Sequence, residues 1–145
     1  MLRRNLLLGV AGVAVLGVTG CATHPVSVQQ ATELPAAQLR TCIKRAAHRR
    51  GWRVVTDEPG KMRIKYVKGP HVLVADVTYD NEGYMIEAVK EGSTLFNKDG
   101  TAHRKVNSWT ANLTVTIHEE ENKILLRQTN GLSTIRPPHR SITPA

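Results

Sequence analysis

The sequence predicts an α+β fold, in which two helices pack on one face of a four-stranded antiparallel meander. Apolar residues recur at helical spacing from Leu39 to Ala47, and four short segments between Trp52 and Val89 then show the composition of strands. A second helical pattern follows them, which completes the order α-β-β-β-β-α. The strand segments are joined by short connections, and short connections favour antiparallel neighbours.

The first helix is predicted to begin at Pro35, whose missing N–H is tolerated in a first turn, and to end before Gly51. Its apolar face consists of Leu39, Cys42, Ile43, Ala46 and Ala47. Cys42 on this face is expected to be a small buried hydrophobe, and a reactive thiol is the alternative. The opposite side is rich in arginine and lysine toward the C-terminus, where the helix dipole favours positive charge.

The strand pattern is clearest between Lys61 and Val67, where apolar and basic residues alternate. If Ile64 and Tyr66 face the helices, the other side of the sheet is an open face that mixes cations and valines. Exposed apolar groups beside charge often mark a binding site for a partner. The candidate partner-binding residues are Arg53, Lys61, Arg63, Lys65, Val72 and Val74. A half-buried sheet face without a partner is the alternative.

The second helix is predicted over residues 105 to about 118, although Leu113, Val115 and Ile117 also alternate as in a strand. The helix is favoured because the sheet needs a second apolar stripe to cover it. The globular domain is therefore expected over residues 35–128. Glycine, proline and polar residues predict a disordered tail over residues 129–145.

The N-terminus has the pattern of a signal peptide over residues 1–20, with Arg3 and Arg4 before an apolar run from Leu6 to Val18. That run is shorter than the roughly 20 residues that span a bilayer. The sequence Val-Thr-Gly directly before Cys21 resembles a bacterial lipobox, which implies that Cys21 becomes the lipidated first residue of the mature protein. Ala22 in place of aspartate favours the outer membrane by analogy, and residues 21–34 then form a lipidated N-terminus and tether.

The order of several short motifs between residues 38 and 118 resembles a family of small proteobacterial lipoproteins of unknown activity. The motifs are Gly51-Trp52, Pro59-Gly60, His71 through Tyr79-Asp80, Tyr84 to Ile86, Ser93 to Leu95, and His103, Asn107, Trp109 and Leu113. Val106 departs from the pattern, because it stands where the family has tyrosine. The resemblance implies the α-β-β-β-β-α order and an outer-membrane lipoprotein facing the periplasm, and it implies no reaction or ligand.

The charge balance favours an anionic partner. The chain has 20 basic and 12 acidic residues, and removal of the signal peptide leaves a net charge of about +6. An envelope protein or an anionic lipid, such as lipopolysaccharide, is therefore a possible partner beside the membrane that holds Cys21. A nucleic-acid partner is not expected, because the chain has few aromatic residues to interleave with its cations.

The sequence has none of the spacings that bind phosphate, zinc or an acyl group, so no cofactor, metal site or enzymatic activity is predicted. His71 and His103 form a candidate polar pair that could serve a metal site or a general base, and the alternative is that each caps a turn. The run His118-Glu119-Glu120-Glu121 is expected to be a solvated acidic patch. Trp52 and Trp109 are expected in the core.

The predicted function is that of a lipid-anchored envelope lipoprotein that binds a partner or has a structural role. Two alternatives remain open. One is an anionic lipid or lipopolysaccharide binder that uses the cations of the first helix, and the other is a metal- or histidine-dependent envelope enzyme.

Overall fold

The computed structural model describes residues 27–132, which form one five-stranded antiparallel sheet and two helices. In chain order the elements are β1 (Ser27–Ala31), α1 (Ala36–Arg49), β2 (Arg53–Glu58), β3 (Lys61–Lys68), β4 (His71–Tyr79), β5 (Gly83–Val89) and α2 (Arg104–Leu132). The strand order across the sheet is β1-β5-β4-β3-β2. The α+β class is confirmed, whereas the sheet has five strands and not the four that the sequence predicts. The predicted signal peptide, Cys21 and residues 133–145 lie outside the described residues.

The additional strand is β1, which comes from the segment expected to be tether. It pairs with β5 in an antiparallel register that sets Ser27 opposite Glu87 and Ala31 opposite Gly83. Four of its five residues are exposed. The strand therefore depends on backbone hydrogen bonds to β5 and not on an apolar face, which explains why its sequence lacks a strand pattern.

Helix α1 agrees closely with its prediction. Its apolar face is fully buried. At the N-terminus, the Asn81 side chain accepts a hydrogen bond from the Ala36 N–H at 2.9 Å. At the C-terminus, Gly51 has φ +78°, a left-handed conformation that lets the Trp52 N–H donate to the Ala47 carbonyl at 2.8 Å.

The two faces of the sheet differ as the alternation in β3 predicts. The inner face carries Met62 and Ile64 of β3 and Leu73, Ala75 and Val77 of β4, all of which are fully buried. These side chains belong to one core cluster together with the apolar faces of α1 and α2. Both helices therefore cover the inner face, and the outer face is free of helices among the described residues.

Helix α2 includes residues 113 to 118, so the choice between helix and strand is decided in favour of the helix. Its threonines satisfy their hydroxyl groups within the helix, since Thr110 donates to the Val106 carbonyl at 2.8 Å and Thr114 to the Thr110 carbonyl at 2.9 Å. The helix continues to Leu132, four residues past the expected end of the domain at residue 128.

The helices run antiparallel. Gln38 near the start of α1 receives a hydrogen bond from Gln128, and Arg50 just after α1 donates to Thr116. The N-terminal part of α2 continues beyond the end of α1. There Trp109 packs edge-on against Tyr66 of β3, with ring centroids 4.8 Å apart. Trp52 is buried and Trp109 packs against the same core, as the sequence predicts.

Candidate functional site on the outer sheet face

The candidate partner-binding residues lie in successive rows across the outer face. In one row Arg53, Lys65, Val74 and Val89 are register partners across β2, β3, β4 and β5. The next row contains Arg63, Asp76 and Glu87, and the third contains Lys61, Thr78 and Met85. The alternation within each strand directs all these positions away from the helices.

Arg63 is bound within the sheet. Its Nε and Nη2 donate to the two carboxylate oxygens of Asp76 at 2.7 and 2.9 Å, and Lys61 Nζ lies 3.7 Å from the same carboxylate. The Asp76 side chain is only 12% exposed. The hydrogen bonds from Arg63 hold the pKa of the Asp76 carboxyl below its ordinary value, against the opposing effect of burial. Asp76 therefore balances the charge of Arg63, whereas Lys61, at the longer distance, is only partly compensated.

Arg53 and Lys65 differ from Arg63 because neither has an ion pair among residues 27–132. They are exposed and directly opposite each other in the β2–β3 register. Like charges directly opposite each other destabilise a sheet. A nearby anion would relieve this repulsion.

The valines of the candidate set have different surroundings. Val74 is only 7% exposed, because residues 92 to 94 run beside β4. There Ser93 Oγ accepts a hydrogen bond from the Val74 N–H at 2.8 Å, and a Cβ added at Gly92 would lie 3.3 Å from Val74 Cγ2. Val74 is thus covered by this loop and is not part of the open surface. Val72 remains half-buried.

Val67 belongs to the open surface although it was not among the candidates. It pairs with Val72 in the β3–β4 register and is 55% exposed. Its position two residues after Lys65 would have placed it on the same face by alternation alone. We call Arg53, Lys65, Val67 and Val72 the outer patch: two adjacent cross-strand pairs, one cationic and one apolar.

His71 and His103 lie together at the edge of an aromatic cluster. Their ring centroids are 6.4 Å apart, and His71 is 6.5 Å from Trp109. Nδ1 of His103 accepts the Lys105 N–H at 3.1 Å, so this ring caps the start of α2. No group of three or more His, Cys, Asp or Glu side chains converges within residues 27–132 in the way that a metal site requires.

The acidic run in α2 is not the solvated patch that the sequence suggests, because Glu120 and Glu121 are each only 5% exposed. Glu120 accepts from Arg49 Nη1 at 2.7 Å and from Lys123 Nζ at 2.8 Å, and these bonds, Lys123 first, lower the pKa of its carboxyl. Glu121 accepts a hydrogen bond from the Thr32 hydroxyl. The run packs against the end of α1 and the β1–α1 connection, which periodicity within α2 cannot reveal.

Most cations of α1 also have partners. Arg40 and Lys44 both bind Asp57, at 2.5 and 3.0 Å, and Arg49 binds Glu119 and Glu120 at 3.0 and 2.7 Å. Arg45 is exposed and has no ion pair within the described part of the chain. The first helix therefore presents less free positive charge than its sequence suggests.

A groove of about 480 Å³ opens where the β4–β5 turn meets β1, remote from the outer patch. Its lining includes Gln29, Gly60, Asp80, Glu82 and Tyr84. The burial of Tyr84 and the charge of Glu121 raise the pKa of the Tyr84 hydroxyl, so this group is neutral at physiological pH. The lining shows no nucleophile paired with a base, and the outer patch is the stronger candidate site.

Comparison with protein-family models, with curated protein sequences and with solved structures finds no match to this chain. Neither helix within residues 27–132 combines the length and apolar character needed to cross a membrane.

Proposed function

We propose that this chain is a lipid-anchored cell-envelope protein that docks a protein partner through the outer patch. The observation that carries the proposal is the pairing of Arg53 with Lys65, two cations without a carboxylate partner in the described structure, beside the exposed Val67 and the half-buried Val72. The proposed role is that of a binding or structural module and not of an enzyme.

The chemistry of the outer patch indicates the kind of partner. An acidic side chain placed between Arg53 and Lys65 would relieve their repulsion, and an apolar side chain next to it would cover Val67 and Val72. Charge that complements a partner across an interface mainly gives specificity and faster association. The partner is therefore a protein surface that combines carboxylates with an apolar group.

The anchor is supported by the N-terminal sequence. The basic start, the short apolar run and Val-Thr-Gly before Cys21 together support acylation of that cysteine, and Ala22 supports sorting to the outer membrane, facing the periplasm. Membership of the small proteobacterial lipoprotein family that the motifs resemble is part of the same proposal. A stable anchor requires more than one acyl chain.

The test is crosslinking in cells followed by mass spectrometry of the recovered complexes. The informative variant is Arg53→Glu/Lys65→Glu, because Arg63 is already bound by Asp76. The matched control is Arg45→Glu/Arg127→Glu, which makes the same change in charge at exposed helix positions. We expect a recurrent partner to be lost from the first variant and retained by the control. Equal recovery from both variants at equal abundance would contradict docking through the outer patch.

A further inference from the structure

The position of β1 determines where the N-terminal segment leaves the domain. β1 runs antiparallel to β5, and Ser27 lies opposite Glu87. The chain before Ser27 therefore leaves toward the end of the sheet where β5 ends and β2 begins. Arg63, Asp76 and Glu87 form the row across the middle of the sheet, and we call everything beyond it in this direction the anchor-side end.

The anchor-side end is strongly cationic. Its strand ends, its loops and the first turn of α2 carry Arg53, Lys65, Lys68, Lys90, Lys98, Arg104 and Lys105, against the carboxylates Glu91 and Asp99. The opposite end is more nearly balanced. There the β1–α1 connection, the end of β2 and the β4–β5 turn carry Glu33, Asp57, Glu58, Asp80 and Glu82, but Lys61 begins β3 and Arg40 and Lys44 bind Asp57. The excess of positive charge is thus concentrated at the anchor-side end.

Two arrangements at the anchor-side end are unfavourable for the domain itself. Arg104 and Lys105 occupy the first turn of α2, which has no acidic residue, although the helix dipole favours negative charge there. Arg53 and Lys65 face each other across β2 and β3. No carboxylate within residues 27–132 forms an ion pair with any of the four. An anionic membrane surface would make the arrangement at the start of α2 favourable, whereas Arg53 and Lys65 belong to the outer patch, which is proposed to meet the protein partner.

The short distance along the chain to Cys21 keeps this end near the membrane. Five residues lie between Cys21 and Ser27, and even a fully extended chain spans at most about 20 Å from one to the other. A basic cluster beside a membrane is attracted to anionic lipids within about a Debye length of the surface. The anchor and the positive charge therefore act at the same end of the domain.

We propose that the anchor-side end rests on anionic phospholipid headgroups of the leaflet that holds the acyl chains of Cys21. This inference depends on the proposed lipid anchor. It orients the domain with its strands upright on the membrane, so that the opposite end points away from the bilayer and the outer face is presented sideways to a protein partner.

The experiment uses the acylated full-length mature protein in vesicles of phosphatidylethanolamine and phosphatidylglycerol, compared with vesicles of phosphatidylcholine alone. A fluorophore is attached at Asn107→Cys in α2, near the anchor-side end, or at Glu82→Cys in the β4–β5 turn. Native Cys42 is buried and stays unlabelled. A nitroxide on lipid headgroups then reports which end lies on the membrane by quenching the fluorophore.

We expect several-fold stronger quenching at position 107 than at position 82 in the anionic vesicles. Each basic residue near such a surface raises the equilibrium constant for the contact roughly fivefold, so Lys68→Glu/Arg104→Glu should lower that constant about tenfold or more and make the quenching at the two positions nearly equal. The control Arg45→Glu/Arg127→Glu makes the same change in charge outside the anchor-side end. It should retain the stronger quenching at position 107. In the unaltered protein, high salt should reduce the difference in quenching between positions 107 and 82.

Equal quenching at the two positions would overturn the orientation, and equally strong preferential quenching at position 107 on phosphatidylcholine alone would overturn the contact with anionic headgroups. If both double variants lose the stronger quenching at position 107 to the same extent, the proposed contact is also overturned. The net charge of the protein, and not the anchor-side end, would then determine how it lies on the membrane. The intact mass of the purified protein tests the anchor separately. A mass without acyl chains would overturn the proposed anchor and this inference with it, whereas an acylated protein with equal quenching overturns the orientation alone.

Discussion

At the scale of single residues, Asp76 explains why neighbouring cations of β3 have different roles. It lies opposite Arg63, is nearly buried and receives two hydrogen bonds from the guanidinium group. Such a bidentate pair holds both side chains in place. Lys65, two residues further along the same strand, lies opposite Val74 and has no such partner among the described residues. Only the second cation is free to bind another molecule.

We predict that Asp76→Asn lowers the free energy of unfolding by about 1–2 kcal/mol at pH 7. Because the folded-state pKa of Asp76 lies below its ordinary value of 3.8, the stabilisation is fully present above that pH and is lost as the pH falls through the folded-state pKa. Urea unfolding at pH 7 and at pH 3 should therefore show a smaller difference between the variant and the unaltered protein at pH 3. Glu58→Gln is the control, because this carboxylate is exposed and forms no ion pair with any residue from 27 to 132. A difference that does not depend on pH would contradict this role of Asp76.

The surroundings of Cys42 lower the reactivity of its thiol. It is fully buried, and burial together with the charges of Glu121 and Glu120 raises the pKa of its thiol to about 11. Since the thiolate is the reactive form, we predict that Cys42 does not react with a thiol reagent at pH 8 while the protein is folded. In a Cys21→Ser chain, one thiol should become titratable only after denaturation. Rapid reaction of the folded protein would contradict this burial.

The residue scale also shows where sequence reasoning stops. The alternation in β3 places Arg63 and Lys65 on one face, but only the β3–β4 register reveals that Asp76 lies opposite Arg63. Likewise, nothing within α2 shows that Glu120 meets Arg49 of α1. In both cases the deciding contact joins residues from different elements, and local patterns do not contain it.

At the scale of elements, α1 and the strands β3 to β5 could be predicted because their buried faces impose a period on the sequence. β2 has no buried residue, but it could still be predicted from its valines and from the Pro59-Gly60 turn that follows. β1 could not, because Ser-Val-Gln-Gln-Ala is largely exposed and shows no such period. Its place in the sheet depends on a glycine in its partner strand. A Cβ on Gly83 would overlap the carbonyl oxygen of Gln30 and lie 3.1 Å from Cα of Ala31.

We therefore predict that Gly83→Ala displaces β1 from β5 and lowers the free energy of unfolding by about 1–3 kcal/mol. Hydrogen exchange should show faster exchange of the β1 amides, while the amides of β3 and β4 remain protected. The control is Gly131→Ala, because a Cβ added there meets no atom within 4 Å. Unchanged protection of β1 in the Gly83 variant would contradict the close approach of these two strands.

At the scale of the whole molecule, one core joins both helices to the sheet. Leu113 of α2 is fully buried in this core, whereas Leu126 of the same helix is 62% exposed. We predict that Leu113→Ala lowers the free energy of unfolding by about 2–5 kcal/mol and that Leu126→Ala changes it by about 0.5 kcal/mol or less. Thermal unfolding followed by circular dichroism should show a single transition for each protein. Comparable losses in the two variants would contradict the position of α2.

The whole-molecule arrangement of charge shows a further limit of the sequence. The excess of basic residues is visible in the composition, but the cations of the anchor-side end come from β2, β3, the loop after β5 and the start of α2. They are far apart in the chain, and only the topology brings them to the same end. The net positive charge could thus be predicted from the sequence, whereas its concentration at one end of the sheet could not.

The attachment of β1 has a mechanical consequence. A pull on the chain before Ser27, against a hold at the opposite end of the domain, acts along the axis of β1. The five register pairs between β1 and β5 then share the load in shear and do not open one after another as in a zipper. β1, which the sequence pattern does not predict, is thus the element that transmits a pulling force from the N-terminal segment to the rest of the domain.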